Sequence, residues 1–189
     1  MPPVEPNLDD IVIRPETPAD EPAVDDVLRD AFDSTDELVL VNELRTLDQM
    51  RLALVAELGG EVVGHVAVSP MQTARRDGDS SKAAVEADIC AIGPLAVLSP
   101  LQRNGIGAML MAEAVQRLRD EGTDLIALLG DPDYYDRFRF RPASEQGLHC
   151  KFNGGDAFQI RPLTQRGRAI RGVELRYASA FDLFDSGAI

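Results

Sequence analysis

The stretch Ile92-Gly93-Pro94-Leu95-Ala96-Val97-Leu98-Ser99-Pro100-Leu101-Gln102-Arg103-Asn104-Gly105-Ile106-Gly107-Ala108 decides how this chain is read. It begins as an apolar run of strand type and ends as a polar turn with two glycines spaced by one residue. From Gly107 onward Leu110, Met111, Ala114, Val115 and Leu118 recur at helical spacing, while Glu113, Gln116, Arg117, Arg119 and Asp120 fall largely opposite. The pattern predicts an amphipathic helix from Gly107, closed by Gly122 in a left-handed conformation. A glycine pair at a helix start leaves backbone open to a ligand. The first-turn N–H groups have no intrahelical partner and the helix dipole reinforces them, so a phosphate site is expected here. The turn has no Lys-Ser/Thr after its second glycine, as a nucleotide P-loop would, and no third glycine, as a dinucleotide fingerprint would. The alternative for a bare glycine pair is close packing of strand on helix.

These residues carry a resemblance. Gln102-x-x-Gly105-x-Gly107 after Leu95-Ala96-Val97 resembles the acetyl-CoA signature of the GNAT-type N-acetyltransferase superfamily. A second block, Gly130-Asp131-Pro132-Asp133-Tyr134-Tyr135-Asp136-Arg137-Phe138-Arg139-Phe140-Arg141-Pro142, is similar to the G-D-P-x-Y-Y-x-R-F-G-F-x-P run of its YhbS-like branch. The resemblance implies an α/β (α+β) fold, with a mixed, mostly antiparallel central sheet splayed at strands 4 and 5 and about four flanking helices. It also implies one acetyltransferase domain over 1–189, in which 1–10 is a flexible N-terminus and 148–189 completes or extends the sheet.

Function is implied in the same way. The expected reaction is transfer of an acetyl group from acetyl-CoA to a primary amine of a small molecule or an exposed protein amine. Leu95 and Val97 are the expected backbone partners of the pantetheine arm, and the amide near Leu95 or Ala96 is placed for the thioester carbonyl. Gln102, Arg103, Asn104, Gly105, Ile106, Gly107 and Ala108 form the expected pyrophosphate turn. Tyr135, five residues before Phe140, is the expected general acid towards the leaving sulfur, with aromatic packing on the pantetheine wall as the other role for that ring. Tyr134 is expected in the core. Some family members carry a Glu where this chain has Ala91, so the base is Glu86, Asp88 or an ordered water. Arg139 stands where the family has glycine. The alternatives are a non-catalytic acyl-CoA-binding module and transfer of a longer acyl group. In this family C-terminal strands often pair between subunits, so a homodimer is one expectation.

The rest of the chain agrees with a soluble cytoplasmic protein. At 189 residues, 44% hydrophobic and 27% charged, it has enough apolar material for one substantial core. Its formal charge of −13, from 19 basic and 32 acidic side chains, argues against nucleic acid and anionic membranes, and suits a cationic acceptor. Residues 1–10 lack the basic flank and apolar run of a secretory signal, and no later run is long enough to span a membrane. Cys90 and Cys150 are the only cysteines and His65 and His149 the only histidines, so a metal site is not expected, and the thiols should be buried and free.

Ile11–Arg14 reads as a first strand. Thr17-Pro18-Ala19-Asp20 supplies an N-cap, a first-position proline and an acidic third position for a helix to about Phe32. A second helix is expected over Asp36 to about Arg45, and the Phe32–Leu40 segment is expected to wall the acceptor site. Residues 52–58 and 61–68 form a hairpin about Gly59-Gly60, in which His65 is a structurally satisfied side chain rather than a catalyst. A polar turn is expected over 75–82, then a fourth strand from about Ala84 to Val97 interrupted at Gly93-Pro94. Leu125–Leu129 reads as a buried strand beside the fourth, Asp131-Pro132 caps a short helix, and further strands are expected at 158–161 and 172–177.

Overall fold

The elements follow in the order β1 (Ile11–Pro15), α1 (Glu21–Ala31), α2 (Asp36–Thr46), β2 (Leu52–Leu58), β3 (Glu61–Ala74), β4 (Ile89–Val97), α3 (Ile106–Asp120), β5 (Leu125–Leu129), α4 (Pro132–Tyr135), β6 (Arg141–Pro142), β7 (Phe158–Pro162), α5 (Gln165–Ala169) and β8 (Glu174–Tyr177). The computed structural model describes residues 8–74 and 86–184. The expected polar turn over 75–82, the expected strand start near Ala84 and most of the N-terminal ten residues lie outside them. No helix among the described residues is long and apolar enough to cross a membrane.

The chain divides into two units, each assembled from two separated segments: 1–68 with 94–116, and 69–93 with 117–189. In the first, β1, β2 and β3 pair antiparallel in that order and β4 follows. Gly59 and Gly60, both at positive φ, make the β2–β3 turn, and the ladder shifts register between Ala56 and Glu57. Thr17 and Asp20 form the expected capping box, from which a 3₁₀ turn over Pro18–Asp20 leads into α1. Val24, Val27 and Leu28 of α1 pack with Val41 of α2 and with Val55, Ala67 and Ala96 of the sheet.

His65 of β3 is fully buried, and its Nε2 lies 2.9 Å from Glu16 Oε2. Arg45 of α2 donates to Glu16 Oε1 at 2.5 Å and to Asn42 at 2.9 Å, and lies 3.4 Å from Asp25. These groups tie α1, α2 and the sheet together. Burial resists ionisation of Glu16, but the hydrogen bond and charge of His65, with those of Arg45, outweigh it and hold the carboxyl below its ordinary range.

In the second unit the end of β3 pairs with β8, and β4, β5, β7 and β6 follow side by side. β3 runs six residues past the expected Val68. The stop signal at Ser69-Pro70 is overridden because Pro70 is exposed and Met71–Ala74 pair with β8. β4 starts at Ile89, so residues 86–88, expected in the strand, precede it. The backbone before it is used otherwise: Asp88 N–H donates to the Asp124 carboxylate, and Asp88 O accepts from the Asp124 and Leu125 amides. The one-turn α5 was not expected, because Gly167 reads as a breaker. A Cβ on Gly167 would overlap the Asp124 carbonyl, so this glycine is required by close approach. Met71, Ile89, Ala91, Leu125, Ala127, Phe158, Ile160 and Leu175 belong to this unit's core, with Cys150 among them. Burial pushes the Cys150 thiol up, and both cysteines are free and buried.

Candidate active site

The strand that enters the site loses one neighbour early. The parallel ladder between β4 and β5 has three pairs, Ile89 to Ala91 against Leu125 to Ala127, while β4 continues for six more residues. Gly93, at φ 148, and Pro94, which has no N–H, follow the last pair. Beyond them Leu98 N–H donates to Val63 O at 3.0 Å. Ala96 O also faces β3, 3.1 Å from where a Gly64 Cβ would stand. Backbone groups alternate along a strand, so Leu95 and Val97 direct their N–H and C=O away from β3. Ala96 directs its own towards β3. The geometry thus separates two neighbouring residues that share one stretch of sequence.

The turn into α3 is built from the backbone. Gln102 Nε2 donates to Val97 O at 3.0 Å, and Asn104 Nδ2 lies 3.2 Å from the carbonyls of Leu101 and Gln102. Arg103, at φ 65, and Gly105, at φ 90, are both left-handed. Arg103 is exposed, Gly107 and Ala108 are half-buried, and Ile106 is fully buried in the core. Met109 N–H takes Gly105 O at 3.0 Å, so the helix begins at Ile106 rather than Gly107. The N–H groups of Ile106, Gly107 and Ala108 therefore precede the intrahelical ladder and suit an anionic oxygen. A Cβ on Gly105 would meet only Leu8 Cδ1, at 3.6 Å, so it is the backbone angle that demands glycine. Ser99 joins this turn to the end of α1: its N–H and hydroxyl donate to the side chain and carbonyl of Asp30, at 2.5 and 3.0 Å.

Tyr135 is held within the second unit. Asp131 caps α4 by accepting from Asp133 N–H, with Pro132 in the first turn. The Tyr135 ring lies so close to Gly130 that any Cβ there would overlap it. Gly130 is fixed in turn, its N–H to Ala157 O at 3.0 Å and its O to Gln159 Nε2 at 3.1 Å. Tyr134 and Phe140 stand edge-on to the Tyr135 ring, at 4.8 and 6.0 Å between centroids. Burial, with Tyr134 beside it, pushes the Tyr135 phenol up to about 12. Tyr134, expected in the core, is half-buried with the Arg137 guanidinium 4.6 Å over its ring. Arg139, where the resemblance led one to expect glycine, is left-handed, at φ 62 and ψ 29.

The candidate bases fare differently. Ala91 is buried in the core, Glu86 is exposed ahead of β4, and Asp88 accepts from Thr123 Oγ1 at 3.1 Å. Glu86 and Asp88 thus precede the strand instead of lying on it. Sequence reading missed Gly130 as the seat of Tyr135, although the Gly-Asp-Pro run contains it, and missed Asp30, for which no sequence signal exists. No group of three or more His, Cys, Asp or Glu side chains among the described residues is arranged to hold a metal ion.

The model of the acetyltransferase (GNAT) family matches residues 16–137, which include the glycine turn and the Tyr135 block as far as Arg137. The chain belongs to the GNAT acetyltransferase family. Among GNAT relatives, the N-acetyltransferase YhbS of Escherichia coli K12 is 33% identical over 178 residues, 92% of this chain and 100% of that protein. The crystal structure of E. coli YhbS in complex with CoA superposes with a TM-score of 0.80 at 32% identity, covering 92% of each chain. A GNAT acetyltransferase from Brucella melitensis in complex with acetyl-CoA gives 0.72 at 29% identity, covering 91% of this chain and 98% of that one. These likenesses establish the GNAT fold, in which the mixed sheet has its parallel pair at β4 and β5.

Proposed function

We propose that this protein is a single-domain N-acetyltransferase that moves the acetyl group of acetyl-CoA to a primary amine. The observation that carries this reading is the turn over 102–108, whose left-handed Arg103 and Gly105 leave the first amides of α3 for a pyrophosphate. Acetyl-CoA supplies the activated thioester. The chain's part is to grip the diphosphate at Gly105–Ala108, align the pantetheine arm on the outward groups of Leu95 and Val97, and direct the Leu95 N–H to oxyanion charge on the carbonyl. Gln102 contributes by bracing Val97 against the turn.

Tyr135 is the proposed proton donor to the departing sulfur. Its phenol stays protonated throughout the neutral range. It is a weaker acid than an ordinary thiol near 8.5. It therefore acts by hydrogen bonding to charge as it builds on sulfur, and by delivering its proton in step with proton loss from the amine. With Ala91 apolar and Asp88 engaged, the amine proton leaves to water.

Thermal stability with and without acetyl-CoA tests the reading, in wild type and in Gly105→Glu. At a hundredfold excess over Kd, binding adds about 2.7 kcal/mol to the folded state. A wild type that responds and a folded variant that does not support the cofactor turn, and an amine panel then identifies the acceptor. An unresponsive wild type at saturating acetyl-CoA removes it.

A further inference from the structure

Gln159 is a carboxamide at a position where an apolar side chain would be expected. It lies on β7 between Phe158 and Ile160, two residues of the second unit's core, and is 1% exposed. Its backbone stands opposite Leu128 of β5 on one side and Pro142 of β6 on the other. A buried amide costs stability unless it is hydrogen-bonded, and an apolar residue of similar length would fill the position without that cost. The partner shows what the amide is for. Gln159 Nε2 donates at 3.1 Å to the carbonyl of Gly130, which lies just past the end of β5 and on neither neighbouring strand.

These contacts converge on one ring. Gly130 follows Leu128 by two residues, and Phe140 precedes Pro142 by two. Tyr135 lies against both: its ring occupies the space that a Gly130 Cβ would need, and Phe140 stands edge-on to it at 6.0 Å between centroids. Gln159 thus joins the two strands whose ends carry the two sides of the Tyr135 seat. Gly130 is held on its amide side by Ala157 O, at 3.0 Å, and on its carbonyl side by the Gln159 amide. Because Gly130 is half-buried, water can take over its carbonyl when the amide is removed. Loss of this bond therefore frees the seat more than it unfolds the sheet.

We propose that Gln159 is a positioning residue for acetyl transfer, setting the Tyr135 phenol through the Gly130 carbonyl. Its role rests on Tyr135 as the proton donor proposed above. A misplacement of about 1 Å in a positioned group costs up to about 10²-fold, and the Gln159 bond, one of several that hold the ring, accounts for about tenfold in kcat.

Two measurements on the full chain test this role. The chain has three tyrosines, Tyr134, Tyr135 and Tyr177, so NMR signals of labelled tyrosine rings can each be assigned by Tyr→Phe substitution. In Gln159→Met the Tyr135 ring signals should move towards those of an exposed tyrosine, while those of Tyr177, on β8 of the same unit, stay in place. The second measurement is acetyl transfer to the primary amine that the panel finds most active. Gln159→Met should lower kcat about tenfold, leave the KM for acetyl-CoA unchanged, and cost nothing further in a Tyr135→Phe background. Gln159→Glu keeps the shape of the side chain and serves where the first variant does not fold. Its new carboxyl donates to Gly130 O while protonated and cannot once ionised. Its kcat relative to wild type should therefore fall as pH rises through a pKa that burial lifts above the usual carboxylate range. An unmoved Tyr135 ring alongside a large loss in Tyr135→Phe overturns the role of Gln159 alone. So does an equal loss of kcat with and without the Tyr135 phenol, or a Gln159→Glu loss that does not change with pH. If the ring moves but Tyr135→Phe itself leaves kcat unchanged, the proton-donor reading fails and the positioning role fails with it.

Discussion

Replacing Glu16 with Gln tests whether the buried charges beneath α2 hold the first unit together. The carboxylate accepts from Arg45 at 2.5 Å and meets His65 Nε2 at 2.9 Å, with side-chain exposures of 8% for Glu16, 16% for Arg45 and 0% for His65. Each hydrogen bond to a charged group contributes about 1.5–3 kcal/mol, so losing the charge from both costs about 3–6 kcal/mol. The lower end applies, because Arg45 keeps Asn42 and Asp25, and glutamine retains one acceptor. The expected loss at pH 7 is about 3 kcal/mol, or about 6–12 °C in Tm for a chain of this size. The sign with pH follows from linkage. The folded carboxyl titrates below its ordinary 4.5, so its stabilisation is complete above that value and disappears as pH falls through the folded pKa. Urea denaturation of both proteins at pH 7, 5, 4 and 3 measures the gap. It should stay near 3 kcal/mol down to pH 5 and shrink below. A gap under about 1 kcal/mol at pH 7, or one unchanged at pH 3, would refute the assignment of stability to the ionised carboxylate.

Three further outcomes are expected. Tyr135→Phe should lower kcat with acetyl-CoA by about 10²-fold with little change in KM, the span of a positioned acid; wild type should show no alkaline loss from this phenol until pH nears 12. Gly130→Ala should lower kcat in the same direction with little effect on acetyl-CoA binding, since the new Cβ overlaps the Tyr135 ring and turns it from its seat. Arg139→Gly should stabilise by about 1 kcal/mol in thermal denaturation, by releasing a left-handed side-chain-bearing residue.

Much of the fold is legible along the chain because it rests on local periodicity. The stripe from Leu110 to Leu118 and the apolar run Leu125–Leu129 appear as α3 and β5. Gly122 at φ 87 closes the helix as its position demanded. The turn of the candidate site was legible where backbone conformation dictates residue type, as at Gly105 with φ 90. It was opaque where long-range pairing decides. Glu16, Arg45 and His65 are separated by 29 and 49 positions from carboxylate to partners, and no periodicity joins them. Pro70 reads as a strand end until β8, a hundred residues later, pairs just beyond it. Leu95 and Ala96 look interchangeable until Val63 takes the N–H of Leu98 and sets which of them faces outward.

The two interleaved units impose an order on synthesis. All residues of the first unit have been made once Gln116 is added, whereas the second needs segments from both sides of that point. The glycine turn and the first amides of α3 can therefore assemble with β1, β2 and the start of β3, up to Val68, once that stretch has emerged from the ribosome, with no need of residues beyond Gln116 from their own unit. Residues 69–93 must meanwhile wait for the chain that follows Arg117. Met71, Ile89 and Ala91, all buried at the end, spend that interval without their partners Leu125, Ala127 and Leu175. In the growing chain these three apolar side chains stand open to aggregation and to chaperone capture until those partners arrive.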